Sequence, residues 1–338
     1  MKSFFPIDLS KVTTYPLSQR KNKVSITDFA TPPKRDSAFT SSDSKHLTGF
    51  TDFLDSLPNI LKAQDFKKLV EHIVSAYQKG KPVVAMMGGH VIKCGLSPVI
   101  ISLIEKGIIN AIALNGAGSI HDFEIALIGE TSEDVAENLQ NGTFGMSEET
   151  GRSMNRAIKD AAEKGYGMGE GLGRKLLELN PPYLEYSLLA ASIRHEIPLT
   201  IHVAIGTDII HQHPAADGAA IGQTSFTDFR TFVSVVSELG DGGVLLNFGS
   251  AVLLPEVFLK ALTIARNLGH NVVNFTTANF DMIQHYRPNE NVVKRPTTPL
   301  PLNTEGKSMG GQGYAFTGHH EIMIPLLASA IIERLTNA

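Results

Sequence analysis

Short runs of consecutive apolar residues alternate with longer amphipathic stretches over most of the chain. Uninterrupted apolar runs are typical of strands covered on both faces of a parallel sheet, whereas apolar residues at three- and four-residue spacing are typical of helices. Five runs predict strands: Pro82–Met87, Ile108–Leu114, Pro198–Ile205, Gly243–Asn247 and Asn271–Thr276. Because most of them precede a helical pattern, we predict an α/β fold, a Rossmann-like doubly wound parallel sheet.

Three regions depart from this alternation. Residues 1–50 are rich in Ser, Thr, Lys and Pro, which predicts an N-terminal arm that is partly flexible or docks on a neighbouring subunit, with residues 51–338 forming one domain. Residues 129–175 predict a helical insertion, and its GYGMGEGLG stretch predicts a flexible hinge because the GxGxxG spacing is absent. The Pro-rich stretch of residues 287–316 predicts a loop.

The composition is that of an ordinary globular protein, with 42% hydrophobic and 19% charged residues. A formal net charge of −4 gives no reason to expect a nucleic-acid partner. The lone Cys94 excludes an intramolecular disulfide framework and favours a reducing compartment. No apolar run is long and charge-free enough to span a bilayer. We therefore expect a cytoplasmic protein with no membrane partner.

The stretch Ile108–Leu127 predicts a buried strand, an abrupt glycine-containing turn over Asn115–Ser119, and a helix that begins near Ser119 or His121-Asp122. Glycines let a ligand approach the backbone closely, and the free N–H groups at the start of a helix favour an anion. In an open parallel sheet, ligands bind at the carboxyl ends of the strands. This turn is therefore the first candidate for a nucleotide site.

Four further loops are predicted at strand ends on the same rim: residues 88–90, 207–213, 248–250 and 276–281. Three interpretations of the rim remain open. The first is a dinucleotide site, and the second is a metal site formed by His211, His213 and Asp208, although their spacing matches no strong metal motif. In the third, the glycines and histidines only complete turns of a structural or regulatory protein.

Several segments resemble the deoxyhypusine synthase family in the same order along the chain. NGAGSIHDFEIAL resembles that family's TAGG–EEDLIKCL stretch, and GGHVIKCGLSPVI resembles its first nicotinamide loop. FGSAV stands where the family has GGGVV, and GHHEIMIPLL corresponds to DASLVFPLL. TTANFD followed by RPNENV matches TAQEFD and RPDEAV. The resemblance covers about residues 80 to 338, interrupted by residues 129–174.

The resemblance implies a Rossmann-like fold, an NAD site and a homotetramer. That family oxidises the secondary amine of spermidine with NAD and passes the butylamine group through an enzyme lysine to a protein lysine. The NAD contacts that it implies are Gly89, His90, Val91, Asn115, Gly116, Ala117, Asp208, Thr277 and Ala278. His319 replaces a family aspartate near the adenosine.

The sequence departs from the family at the positions that bind the polyamine and transfer its butylamine group. Its paired glutamates are replaced by Ile120 and His121, and the Lys-His pair after GGGVV is replaced by Leu253-Leu254. The position of the catalytic lysine falls on Pro296, so that Lys294 or Lys307 is the candidate nucleophile.

We therefore predict that the dinucleotide site is kept and that authentic deoxyhypusine synthesis is not. The hypothesis is an NAD-dependent oxidoreductase or transferase that acts on a small molecule, an amine, amino acid or alcohol. His121 is the candidate general base, because imidazole titrates near neutral pH. Asp281, His211 and His213 are candidate substrate contacts. The alternatives are a metal-dependent hydrolase on the same rim and a catalytically inactive dinucleotide-binding homologue.

Overall fold

The computed structural model describes residues 50–298 and 310–336. Its residues divide into two compact units, residues 1–64 and residues 65–338. Within the described part of the first unit, residues 50–56 form a helix in which Phe50 and Phe53 contact each other, with ring centroids 5.8 Å apart. The arm predicted for residues 1–50 lies almost wholly outside the described residues.

A parallel sheet organises the second unit. Its strands, in chain order, are β1 Val83–Met87, β2 Ala111–Asn115, β3 Leu199–His202, β4 Val244–Phe248, β5 Thr276–Asp281 and β6 Gln312–Thr317. Their order in the sheet is β3-β2-β1-β4-β5-β6, and every neighbouring pair is parallel. The order reverses between β1 and β4, which is the arrangement of a doubly wound Rossmann-type sheet. The predicted fold class is confirmed.

Helices precede the sheet and connect its strands. Those described are α1 Phe50–Ser56, α2 Leu61–Gln78, α3 Gly89–Lys93, α4 Ser97–Glu105, α5 Gly116–Ile128, α6 Val135–Asn141, α7 Glu148–Lys164, α8 Met168–Leu179, α9 Leu188–Arg194, α10 Gly218–Ser237, α11 Leu253–Asn267, α12 Tyr286–Pro288 and α13 His320–Thr336. The described connections also contain three single turns of 3₁₀-helix and one of π-helix: Leu184–Tyr186, Ile209–Gln212, Arg295–Thr297 and Asn289–Lys294.

The core explains why the strands read as uninterrupted apolar runs. Every residue of β1 and β4 is buried, because helices cover both faces of the sheet. On one face, Phe232 of α10 and Phe258 of α11 pack with Val84, Met86 and Leu245. Burying such side chains stabilises the fold by roughly 1.5–3 kcal/mol each. The same packing fixes the strand ends at one rim of the sheet.

The last two strands differ from the sequence prediction. The strand predicted at Asn271–Thr276 begins at Thr276, because Asn274 has a φ of +53° and interrupts the extended backbone. Residues 276–281 are consequently strand rather than loop. β6 was not predicted from the sequence. Of this edge strand only Tyr314 and Phe316 are buried, and its other residues are polar or small.

The insertion is helical, as predicted, but its glycine-rich stretch is not the expected hinge. Only residues 165–167 connect α7 to α8, and the remaining glycines lie within α8. A Cβ at Gly169 would lie 1.9 Å from the carbonyl oxygen of Leu199. Glycine therefore lets α8 pack directly on β3. The buried Asp228 carboxylate accepts the Gly169 and Ile201 N–H groups at 2.9 and 2.8 Å and holds this junction together.

Candidate functional site

The loops after β1 and β4 meet at the point where the strand order reverses. The Gly88 N–H donates to the carbonyl of Phe248 at 3.0 Å, and a Cβ at Gly88 would lie 2.7 Å from the carbonyl oxygen of Gly249. Gly249 has a φ of +67°, and a Cβ there would lie 2.5 Å from Cε1 of the buried His320 ring. Both positions thus require glycine, because the two loops pack backbone against backbone and the His320 ring lies against Gly249. In this fold, ligands bind in the crevice outside the strand ends at such a reversal.

The helix α5 begins directly at the end of β2, at Gly116 rather than at the predicted Ser119 or His121. The Asn115 side chain caps it by accepting the Gly118 N–H at 2.9 Å. The predicted glycine turn is therefore the first turn of a helix. The N–H groups of Gly116 and Ala117 lie in that first turn, where the helix dipole favours an anion.

Asp208, from the loop after β3, reaches this helix start. Its Oδ2 lies so near the Gly116 backbone that a Cβ at Gly116 would be 1.9 Å away. The Asp208 side chain is 7% exposed, and Oδ2 has no hydrogen-bond partner among the described residues. Burial raises the pKa of this carboxyl group. A buried oxygen without a hydrogen-bond partner is uncommon in proteins and marks this contact as a candidate functional feature.

His211 supports Asp208 from the same loop. Its Nδ1 accepts the N–H groups of Gly206 and Asp208 at 3.1 and 3.3 Å, so the ring proton lies on Nε2. Nε2 is 4.0 Å from Asp208 Oδ2 and has no partner within the described ranges. The ring is therefore held by the backbone with its donor on the side of the carboxylate.

His121 belongs to a chain of hydrogen bonds that starts on α5. Its Nδ1 is 2.8 Å from Thr131 Oγ1, and the Thr131 hydroxyl donates to Glu124 Oε2 at 2.5 Å. The Thr131 oxygen must then accept the proton of Nδ1, which leaves Nε2 of His121 as the proton acceptor. Thr150 donates to the other oxygen of Glu124 at 3.1 Å. The chain fixes the tautomer of His121.

The environment of His121 keeps its ring neutral. Burial, and secondly the Lys93 ammonium, lower the pKa of His121 to about 4. Its Cδ2 would lie 3.0 Å from a Cβ at Gly89, so the ring also faces the loop after β1. His121 thus stands between the crevice and a neighbouring cavity.

That cavity has a volume of about 710 Å³, within the usual range for small-molecule sites. It lies between α5, the segment of residues 130–150 and the loop after β3, and its lining includes His121 and Asp208. Four glutamates line it against one lysine: Glu124, Glu130, Glu133 and Glu149 against Lys93. Its potential favours a cation.

The three NAD contacts predicted in the loop after β1, Gly89, His90 and Val91, differ in their exposure. Gly89 and Val91 are buried, and the Val91 side chain belongs to the core. His90 is exposed, with Nε2 3.3 Å from Cys94 Sγ and its ring centroid 5.8 Å from that of His320. Of these side chains, only that of His90 is open to a ligand, so Gly89 and Val91 could contribute backbone groups alone.

The predicted cofactor contacts at Thr277 and Ala278 require correction. Both lie in the first half of β5 and are fully buried, and the Thr277 hydroxyl donates to the carbonyl of Val292 at 2.7 Å. The shift of β5 by five residues moves them away from the rim and gives that place to residues 280–282. Neither side chain is open to a ligand.

The surroundings of Lys294 do not favour its predicted role as a nucleophile. Lys294 is 67% exposed and pairs with Glu290 at 2.7 Å, so it is not desolvated as an amine nucleophile requires. Its segment packs beside the first half of β6, where a Cβ at Gly313 would lie 2.0 Å from the Val293 carbonyl oxygen. The structure therefore places Lys294 away from the rim. Lys307 lies outside the described residues.

Two other candidate residues, Asp122 and His213, have structural partners. Asp122 accepts the Ser187 hydroxyl and the Leu188 N–H at 2.6 and 2.7 Å, so it caps α9 rather than starting α5. His213 is 3.2 Å from Glu148 Oε2 and accepts the Ala215 N–H at 3.0 Å. Both ring nitrogens of His213 are thus engaged.

Asp281 lies at the end of β5, 7% exposed, and its carboxyl accepts a long hydrogen bond of 3.4 Å from the Ile283 N–H. It is the substrate candidate that does reach the rim, although it lies on the β5 side, away from the larger cavity. Among residues 50–298 and 310–336, no group of three or more His, Cys, Asp or Glu side chains is arranged to hold a metal ion. The alternative set of His211, His213 and Asp208 is not such a group.

Sequence reasoning missed Glu124 and Thr131, and it did not place His320 against Gly249. His121 and Glu124 are three residues apart on one helix, which places them on the same face and was a usable signal. Thr131 follows the helix end at Gly129, and His320 meets Gly249 only through the fold, so no local pattern indicated either contact.

No protein-family model matches the sequence, and no curated protein matches it. Solved structures do. AgrE bound to ornithine and NAD⁺ is 12% identical with a TM-score of 0.50, and the match covers 81% of this chain and 34% of that one. This chain thus spans about a third of AgrE. At this identity the likeness establishes the fold.

Two further solved structures are similar. A candidate LOR/SDH protein from Methanococcus maripaludis S2 is 17% identical with a TM-score of 0.46, over 82% of this chain and 71% of that one. A candidate deoxyhypusine synthase from Entamoeba histolytica is 10% identical with a TM-score of 0.46, over 84% and 93%. Within the described ranges, no helix is both long and apolar enough to cross a membrane. The homotetramer stays a prediction.

Proposed function

We propose that this protein is an NAD-dependent oxidoreductase or transferase that acts on a small cationic amine. The observation that carries the proposal is the placement of His121. Its ring lines the cavity that holds four glutamates, and its Cδ2 faces Gly89 in the loop after β1, beside the point where the strand order reverses. The resemblance to an amine-oxidising, NAD-dependent family supports the same class of chemistry.

The residues present fit a dinucleotide. Gly88 and Gly249 bring the backbone of two loops together where the strand order reverses, and the N–H groups at the start of α5 suit a phosphate. The unpartnered Oδ2 of Asp208 beside Gly116 suits a ribose hydroxyl. When bound, NAD supplies the acceptor for a hydride. The backbone of Gly88, Gly89 and Gly116 and the carboxylate of Asp208 would hold it.

The cavity residues would bind and orient the amine. The four glutamates attract a substrate ammonium, and Glu124 is fixed in place by the Thr131 and Thr150 hydroxyls. Ile120, Leu127 and Phe144 line the same cavity and would exclude water around an aliphatic chain. The cavity lining therefore combines apolar side chains with carboxylates.

His121 would take the proton that the substrate nitrogen releases. Thr131 and Glu124 accept in sequence from Nδ1–H, so the ring is held with Nε2 as the nitrogen that accepts the proton. The chain of hydrogen bonds thus performs the orienting role that a carboxylate has beside other catalytic histidines.

A matched pair of substrates tests the proposal. With NAD⁺ present, we expect NADH absorbance to rise with putrescine or L-ornithine and not with 4-hydroxybutyrate, which has a similar length and a negative charge. In the E124Q variant the rate with the amine should fall by at least about tenfold, because a hydrogen bond to a charged group contributes roughly 1.5–3 kcal/mol. NADH formation from 4-hydroxybutyrate alone would contradict the assignment of an amine.

A further inference from the structure

A second cavity of about 460 Å³ lies beside the end of α5. It is bounded by the turn between α3 and α4, by the last turn of α5 and by the 3₁₀ turn Leu184–Tyr186 with its flanking residue Tyr183. It shares Ile128 and Glu130 with the larger cavity, and neither His121 nor Glu124 lines it. Its volume lies in the range of small-molecule sites.

Two tyrosines form one wall of this cavity. The Tyr186 N–H donates to the Tyr183 carbonyl at 3.1 Å, and in a 3₁₀ turn of this kind side chains three residues apart lie on the same side. Tyr183 and Tyr186 are 41% and 43% exposed, so both keep aromatic surface that a ligand can contact. The two tyrosines are therefore the largest apolar side chains of the lining that the core does not bury.

The turn that carries the tyrosines is attached to α5 at both ends. The Tyr183 N–H donates to the Ala126 carbonyl at 3.2 Å. At the other end of the turn, the Ser187 hydroxyl donates to the buried Asp122 carboxylate at 2.6 Å. Gly129 has a φ of +74°, and a Cβ there would lie 3.0 Å from the Tyr183 ring, so glycine lets this ring lie against the end of α5. Aromatic surface that is held in place in this way costs little to order when a ligand binds.

The charge of the cavity selects a cation. Glu130 is the one acidic or basic residue among the described residues that line it. The faces of aromatic rings carry partial negative charge and attract cations, so the tyrosines act in the same direction as the carboxylate. An anionic ligand is disfavoured by both.

The rest of the lining selects the kind of cation. Ile92, Pro98, Ile125 and Ile128 supply aliphatic surface. A primary ammonium has three N–H donors that require acceptors, and burying it against aliphatic side chains is costly. A quaternary ammonium has no N–H group, and its methyl groups pack on aliphatic and aromatic surface alike. Binding of such ions by aromatic side chains is an established use of the cation–π interaction.

We propose that this cavity is a second ligand site, which takes a small quaternary ammonium ion between the Tyr183–Tyr186 pair and the Glu130 carboxylate. The site differs in chemistry from the larger cavity, whose four glutamates suit a primary amine. It needs neither a dinucleotide nor the oxidation of an amine. Its failure is therefore separate from a failure of the proposed function.

Calorimetry on the full-length protein with three probes tests the site: choline, its uncharged carbon analogue 3,3-dimethyl-1-butanol, and ethanolamine. All three carry the same hydroxyl, so the comparison isolates the charged group. We expect choline to bind at least about fivefold more tightly than 3,3-dimethyl-1-butanol, because the neutral analogue has no cation–π attraction. Ethanolamine, a primary ammonium, should bind more weakly than choline.

Three variants locate the binding. Y186L, which removes a half-exposed ring but keeps an apolar side chain, should weaken choline about twofold to thirtyfold, whereas Y186F, which keeps the ring, should bind choline as the wild type does. E124Q, which changes only the larger cavity, should leave the choline affinity unchanged. The proposal is overturned if the wild-type protein does not bind choline, if the neutral analogue binds equally well, if Y186L and Y186F bind choline equally, or if E124Q weakens choline as much as Y186L does.

Discussion

Replacing Gly88 with alanine is expected to weaken NADH binding by about tenfold to a hundredfold. The added Cβ would lie 2.7 Å from the Gly249 carbonyl oxygen, which is backbone and cannot rotate away. Forcing such an overlap apart costs roughly 1–3 kcal/mol, and each 1.4 kcal/mol is a factor of ten in affinity. The loops after β1 and β4 would separate and the crevice would lose its shape. Nicotinamide fluorescence during an NADH titration measures the change.

Gly222, in the helix α10, provides the matched control for G88A. Gly222 in α10 is exposed and has nothing within 4 Å of a Cβ position, so G222A should bind NADH as the wild type does. Circular dichroism and thermal unfolding of both variants separate a local effect from a loss of fold. If G88A folds and retains wild-type affinity, the dinucleotide does not bind in this crevice.

Replacing His121 with glutamine is expected to lower the rate of amine oxidation by about a hundredfold to ten-thousandfold, the usual contribution of a general base. NADH affinity should change little, because the imidazole is assigned to the proton and not to the dinucleotide. The T131V variant keeps the ring but breaks its link to Glu124, so it should show a smaller loss of the same kind. T263V, on the exposed side of α11, is the control.

The pH dependence distinguishes a base from a structural histidine. The pKa of His121 is lowered to about 4, so the ring is neutral and able to accept a proton above that pH. We expect kcat/KM to lose the contribution of His121 as the pH falls through about 4, rather than through the ordinary histidine value near 6.5. Lys93 lowers the pKa of His121, so in the K93M variant the acidic fall of kcat/KM should occur at higher pH. If the fall occurs at the same pH in K93M, the titrating group is not His121.

The parallel core was predictable from sequence to a useful degree. The runs at residues 82–87, 108–114 and 243–247 predicted β1, β2 and β4, because strands buried on both faces have no polar alternation. β5 was shifted because a backbone turn at Asn274, not hydropathy, sets its start. β6 was missed because an edge strand buries only alternate residues.

The site was predictable only where local sequence decides it. The glycines after β1 and the Asn-Gly at the end of β2 mark the rim because a Cβ there would meet neighbouring atoms at 3.0 Å or less. The approach of Asp208 to Gly116 and the chain from His121 through Thr131 to Glu124 are tertiary, formed between segments that no periodicity relates. The shift of β5 likewise places Thr277 and Ala278 in the first half of the strand, where both side chains are buried.

The central claim is that a dinucleotide binds where the loops after β1 and β4 meet, and the proposed role of His121 depends on it. Titration of the wild-type protein with NADH tests this claim most directly. The structure predicts a saturable change in nicotinamide fluorescence that G88A weakens and G222A does not. No saturable change up to millimolar NADH, or equal affinity in all three proteins, would contradict a dinucleotide site between Gly88, Gly249 and Gly116.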